Sequence, residues 1–255
     1  MKILSLGAGV QSSTLAMMYA QGELEGMPDA AIFADTGWEP RKVQEYLDWL
    51  EKQLPFPVYR VMKDEGLFKA LQGEGRVSSV PFFMSNGGLG RRQCTNDYKI
   101  VPIQRKVREL LGYRKYQRIP ADAATMLIGI STDESIRMKP SRVAWIKHEW
   151  PLIDRNMSRQ DCLEWFEARN FPKPPKSSCL GCPFHNDAQW LEIKNGDQQE
   201  WQETVAMDRH IRNRVTKMVN EQFMHRSLKP LDEVVFKGED KANHFGNECE
   251  GMCGL

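Results

Sequence analysis

The sequence predicts an α/β fold, a parallel sheet with helices on both faces, followed by a mostly helical, cysteine-bearing C-terminal region. Three observations predict it. Short apolar runs alternate with amphipathic segments through the first third of the chain. Small residues or a Gly turn follow the runs at Gly7–Gly9, Asp35–Gly37 and Gly129–Ser131, where strands of a parallel sheet hand over to functional loops. The length of 255 residues, with 41% hydrophobic and 27% charged residues, suits a globular chain that buries a real core. These features exclude disordered, collagen-like and fibrous classes.

The elements follow in order. Residues 2–6 form a first strand, and Ser12 to Ala20 a compact helix with Leu15, Met18 and Tyr19 on one side. Residues 30–34 read as a second buried strand. A helix over 40–54 keeps Val43, Tyr46, Leu47, Leu50 and Leu54 at i, i+3, i+4 and i+7 spacing, and a third strand spans 58–62. Five glycines without periodicity between Gln72 and Gly90 predict an excursion over a site. Residues 101–111 look helical, 125–130 form a fourth strand, and Ser158 caps a helix through Arg169 that places Cys162, Trp165 and Phe166 inward. Prolines between Phe171 and Pro175 end it. A long helix is expected from Gln198 to Phe223, with Trp201, Val205, Ile211, Val215, Met218 and Phe223 on one stripe. The expected division is a nucleotide-binding domain over 1–150 and a helical, cluster-binding region with a C-terminal tail over 151–255.

Net charge is +1, so no global field advertises a polyanionic partner. The charge is nonetheless uneven. Residues 91–118 hold nine Lys and Arg against Asp97 and Glu109, which suits a polyphosphate or a nucleic-acid backbone; a solvated helix face is the bland alternative. Arg209, Arg212, Arg214 and Lys217 would extend that surface. The N-terminus lacks the run of a signal peptide, and no stretch approaches the roughly 18 uninterrupted apolar residues of a membrane span, so a cytoplasmic location without a membrane partner is expected.

In a reducing compartment six cysteines are too few for a disulfide scaffold and fit metal or redox roles better. Cys179-Leu180-Gly181-Cys182 is a CxxC open to zinc, an iron–sulfur cluster or dithiol chemistry, and the preceding Pro172, Pro174 and Pro175 disfavour a redox helix start. Cys94 and Cys162 are candidates to complete four ligands. Cys162 could instead be an inert core thiol, with His185 as the substitute. Cys249 and Cys253 form a glycine-flanked pair suited to thiol chemistry.

The turn Gly7-Ala8-Gly9-Val10-Gln11-Ser12-Ser13, between a strand and a helix, places backbone N–H groups and two hydroxyls where an anion binds. It is neither a Walker loop nor a dinucleotide fingerprint. It resembles the PP-loop of the ATP pyrophosphatase and phosphoadenosine-phosphosulfate (PAPS) reductase superfamily, Ser-Gly-Gly-x-Asp-Ser-Ser/Thr. Gly9, Ser12 and Ser13 match, while Gly7, Ala8 and Gln11 depart, and Gln11 removes a carboxylate. Three further segments are similar in order: Phe33 to Glu39, Cys94 to Pro102 with a Lys-x-x-Pro, and Gly129 to Arg137 with Ser131 in place of an arginine and Arg137 one position early.

The resemblance implies an adenine nucleotide alpha hydrolase-like fold that binds ATP with Mg²⁺. Gly7, Ala8, Gly9, Gln11, Ser12, Ser13, Asp35, Thr36, Gly129 and Glu134 would hold the nucleotide, while Asp35, Lys99 and Arg137 act on the phosphates. Each of these also has a plain structural reading: Asp35 as a turn cap, Lys99 as a solvated lysine, Glu134 with Arg137 as a surface pair. The four cysteines Cys94, Cys162, Cys179 and Cys182 are similar to the [4Fe-4S] ligands of the DNA phosphorothioation ATP pyrophosphatase. The implied activity is adenylylation of an acceptor, expected to be a nucleic acid, followed by sulfur transfer from a donor protein. Cys253-Gly254-Leu255 partly matches the tail of PAPS reductases, whose cysteine is the nucleophile; that reductase, and a catalytically silent nucleotide-binding iron–sulfur sensor, are the alternatives.

Overall fold

The structure, a computed structural model, describes residues 1–73, 80–213 and 220–238. Cys249, Cys253, Arg214, Lys217, Val215 and Met218 lie outside the described residues.

Five strands form one parallel sheet: β1 (Lys2–Leu6), β2 (Ala30–Asp35), β3 (Val58–Met62), β5 (Ala124–Ile128) and β6 (Ile146–Glu149), in the order β3-β2-β1-β5-β6. The near-continuous apolar strands are what burial on both faces requires. Alternate residues divide between the faces. Leu4, Leu6, Ala31, Phe33 and Leu127 pack against α1 (Val10–Ala20), α2 (Arg41–Glu51) and α6 (Arg159–Glu167). Ile3, Ala30, Ile32, Ala34, Met126 and Ile128 pack on the other side against Ile103 and Val107 of α4 (Val101–Leu110). The direction of strand progression reverses between β1 and β5, so the crevice of the fold opens at their carboxyl ends.

The helix faces follow from spacing and caps. In α2 the buried residues are Val43, Tyr46, Leu47 and Leu50, the expected stripe. A reciprocal capping box between Ser158 and Asp161 starts α6, and Cys162, Trp165 and Phe166 are its buried residues. The core under α1 therefore includes residues beyond 150.

A third cluster lies at the carboxyl edge. It joins Trp38 and α3 (Gly66–Gln72) to α7 (Asp187–Asn195), α8 (Gln198–Asn213), Leu231 and Phe236. Between α4 and α6 sits the short α5 (Pro151–Asp154). Phe223 does not belong to the long helix, as its spacing had suggested. Gln222–Phe223 forms β7, antiparallel to β4 (Phe83–Met84), and this ribbon uses the aromatic that the helical stripe had claimed. Within the Gln72–Gly90 excursion, β4 is thus ordered by a partner more than a hundred residues away. The edge strand β6 carries only Ile146 and His148 inward, too short an alternation to read from sequence.

Candidate functional site at the carboxyl edge of the sheet

The turn after β1 enters α1 with Gly9 at the N-cap. The helix has no side-chain cap and no acidic residue in its first turn, so its leading amides keep their donors for an anion. Ala8 adopts φ 56°, the left-handed region that the superfamily motif fills with glycine. The Ser12 hydroxyl braces the turn, accepting from the Gly7 N–H at 3.1 Å and donating to the Gly9 carbonyl at 3.4 Å. Ser13 Oγ is buried beside Tyr46 of α2, yet neither hydroxyl has a hydrogen-bond partner in proper geometry. Burial pushes the Tyr46 phenol up, against the opposing effect of Ser13. What the turn presents to an anion is therefore mainly backbone.

The turn after β5 lies against α1. A Cβ on Gly129 would meet Ser12 N at 2.7 Å and Ser12 Cα at 2.8 Å, so glycine is required for the two crevice walls to touch. Gln11 crosses between them. Its Nε2 donates to Glu134 Oε2 at 3.1 Å and reaches Ser131 Oγ at 3.4 Å, while its Oε1 accepts from Arg159 Nη1 at 3.1 Å. Glu134 is buried, and its second oxygen accepts from Arg137 Nη1 at 2.7 Å. The predicted surface pair is thus an anchored one, and the missing carboxylate of the motif is an amide that uses both its ends. Arg159, on α6, escaped the sequence reading because only the folded chain brings it to position 11.

At the end of β2, Asp35 behaves as a turn cap. Its Oδ1 accepts from the Gly37 N–H at 2.7 Å and its Oδ2 from Gln44 Nε2 at 2.9 Å. Thr36 donates to Glu39 Oε1 at 3.2 Å and lies 3.1 Å from Cys179 Sγ. Lys99 Nζ sits 3.3 Å from the same Glu39 oxygen, with side-chain exposures of 4% and 0% for lysine and glutamate. Lys99 is no solvated lysine, and Glu39, which the sequence marked only as the last residue of a motif, is its partner.

Local chemistry explains where Lys99 sits. Pro102 has no N–H to donate, so the segment before α4 widens into a π-helical turn, Asn96–Ile100, in which the Val101 N–H reaches back to Asn96. Both Tyr98 and Lys99 are buried by that widening.

The CxxC loop docks on the same edge. Leu180 donates to the Trp38 carbonyl at 2.9 Å, and a Cβ on Gly181 would fall 2.1 Å from the Trp38 ring. The Cys182 N–H bonds to the Cys179 carbonyl at 3.1 Å, and His185 Nε2 donates to that carbonyl at 2.9 Å. Burial and then the Glu39 charge push the Cys179 thiol well up, while Lys99 and the Thr36 bond oppose them. Cys94 packs in the same cluster as Cys179, but Cys162 is fully buried under α1, in the other core. No group of three or more His, Cys, Asp or Glu stands ready to hold a metal among the described residues. The arrangement does not fit a cluster on all four cysteines.

Of the basic segment, Lys99 is buried, Lys106 pairs with Glu109, and Arg108 donates to the carbonyls of Arg114 and Gln117. Arg91, Arg105, Arg114, Lys115 and Arg118 remain exposed. Among the described residues no helix is long and apolar enough to cross a membrane.

No family model and no curated protein matches the chain. Among solved structures it is similar to the phosphoadenylyl-sulfate (PAPS) reductase from Candida auris in its phosphate complex, at 15% identity over 68% of this chain and 74% of that one, with a TM-score of 0.46.

Proposed function

We propose that this chain is a nucleotide-dependent enzyme of PP-loop type that binds ATP in the crevice between β1 and β5 and adenylylates an oxygen acceptor, releasing pyrophosphate. The observation that carries the reading is the uncapped amino end of α1, standing against the buried Glu134 and its partly exposed partner Arg137 at the point where the strand order reverses. In this reading the α1 amides take the phosphates, and Gln11 and Glu134 hold Arg137 at the crevice mouth. Positive charge from Arg137 and Lys99 stabilises the phosphoryl oxygens as charge builds on them. Magnesium would travel with the nucleotide, since Asp35 and Glu134 already hold hydrogen-bond donors on both oxygens. The acceptor in this proposal is a nucleic acid, met by the exposed Arg91, Arg105, Arg114, Lys115 and Arg118.

The test is release of pyrophosphate from ATP by the full chain, with single-stranded and duplex oligonucleotides as acceptors, against Arg137→Ala. The expected result is acceptor-dependent pyrophosphate in the wild type and a loss on the order of 10²-fold in the variant, the scale of one transition-state charge contact. Sulfite released from PAPS in the presence of a dithiol, with no pyrophosphate from ATP, would replace the reading with the reductase.

A further inference from the structure

Four side chains from three separate segments form one hydrogen-bonded chain: Cys179 Sγ, Thr36 Oγ1, Glu39 Oε1 and Lys99 Nζ, with successive separations of 3.1, 3.2 and 3.3 Å. Its centre is expensive. Glu39 has a side chain without solvent exposure, and its second oxygen, Oε2, has no hydrogen-bond partner. A buried carboxylate with an unsatisfied oxygen carries a desolvation cost that packing does not return, and a buried ion pair is often no more stabilising than an apolar pair of the same volume. A stability role therefore accounts poorly for this residue.

We propose that Glu39 is a positioning residue: it fixes the Lys99 ammonium at the carboxyl end of β2 and, through Thr36, couples that lysine to the Cys179 thiol, so that the CxxC loop and the nucleotide crevice sense one another. The half of this statement that concerns nucleotide rests on the function proposed above; the coupling to the thiol does not. A polyanion that draws Lys99 toward itself leaves the Glu39 charge facing the thiol, which makes Cys179 less reactive. By linkage, the chain binds nucleotide more weakly, by the same factor, when Cys179 is ionised than when it is protonated.

The experiment is alkylation of the folded full chain by iodoacetamide, resolved at Cys179 by peptide mass spectrometry. In this reaction the sulfur attacks the methylene carbon, iodide leaves, and the thiol proton goes to buffer. Glu39→Gln removes the charge that suppresses the thiolate, and the Cys179 rate is expected to rise on the order of tenfold, one unit of thiol pKa. Thr36→Val removes the one hydroxyl that can turn its proton from Glu39 to the thiolate, and the rate is expected to fall. Opposite signs from two substitutions in one chain distinguish coupling from loosening, which would expose the thiol in both. ATP is expected to slow Cys179 in the wild type. Equal Cys179 rates in wild type and folded Glu39→Gln overturn the proposal, as do bound ATP without protection and a Thr36→Val rate that rises. Glu39 and Thr36 effects of the expected signs, in a chain that binds no ATP, retain the thiol coupling and remove the nucleotide reading.

Discussion

Gln11 shows how much one side chain can decide. The superfamily motif has aspartate here, and a carboxylate at this position would approach Glu134, whose Oε2 now lies 3.1 Å from the Gln11 amide nitrogen. The amide converts that encounter from repulsion to a hydrogen bond and still accepts from Arg159. Gln11→Glu is nearly isosteric and restores the charge. It is expected to force one of the two carboxyls to keep its proton, raising that group's pKa, as for any two carboxylates sharing a site. The variant should therefore be close to wild type in stability near pH 4 and lose ground as pH rises toward 8, because the unfolded chain ionises both groups freely. Urea midpoints at the two pH values check this; a loss that is the same at both would mean that the arginines absorb the added charge. That position 11 matters was legible in the motif. That its partners would be Glu134 and Arg159 was not, because those contacts span more than a hundred residues.

At the scale of elements, the CxxC loop is held by shape. The CxxC was open to zinc, an iron–sulfur cluster or dithiol chemistry, yet the structure uses the glycine between its cysteines, Gly181, to admit the buried Trp38 ring. Gly181→Ala places a methyl into an indole that has nowhere to go. A destabilisation of roughly 1–3 kcal/mol is expected, the usual range for overpacking, together with a change in tryptophan fluorescence and faster alkylation of Cys179 as the loop lifts. Unchanged fluorescence and thiol reactivity would show that the loop docks elsewhere. The same contrast runs through the elements generally. Strands β1, β2, β3 and β5, with α1, α2, α4 and α6, were legible because each has a run of apolar residues or a cap of its own. The elements β4, β6 and β7 were not, since two to four residues carry no period and exist only through pairing. The π-helical turn was marked in advance only by its proline, which predicts a disturbed ladder but not which side chains the widening buries.

Across the whole molecule, the thiol loop, α7 and the sheet edge share one buried histidine, and this gives the fold a pH dependence of definite sign. His185 packs edge-on against Trp190, with ring centroids 4.8 Å apart, and burial pushes its pKa from 6.5 down to about 4. Above pH 6.5 the ring is neutral in folded and unfolded chains alike and contributes no pH dependence. Between pH 6.5 and 4 the unfolded chain binds a proton that the folded chain refuses, so stability falls as pH falls; below 4 both states are charged and the effect levels off. The full difference corresponds to about 3 kcal/mol. His148 and His225 are also pushed down by burial, which steepens the same limb. His185→Gln keeps a donor for the Cys179 carbonyl and cannot titrate. It is expected to be less stable than wild type at pH 7.5, where a packed ring is lost, and to lose less of its remaining stability on going to pH 4.5. Thermal midpoints of both proteins across that interval measure the two slopes, and parallel curves would remove His185 as the source. The loss should appear first where the ring sits, so Cys179 alkylation, corrected for the thiolate fraction, should accelerate on acidification before the sheet core unfolds.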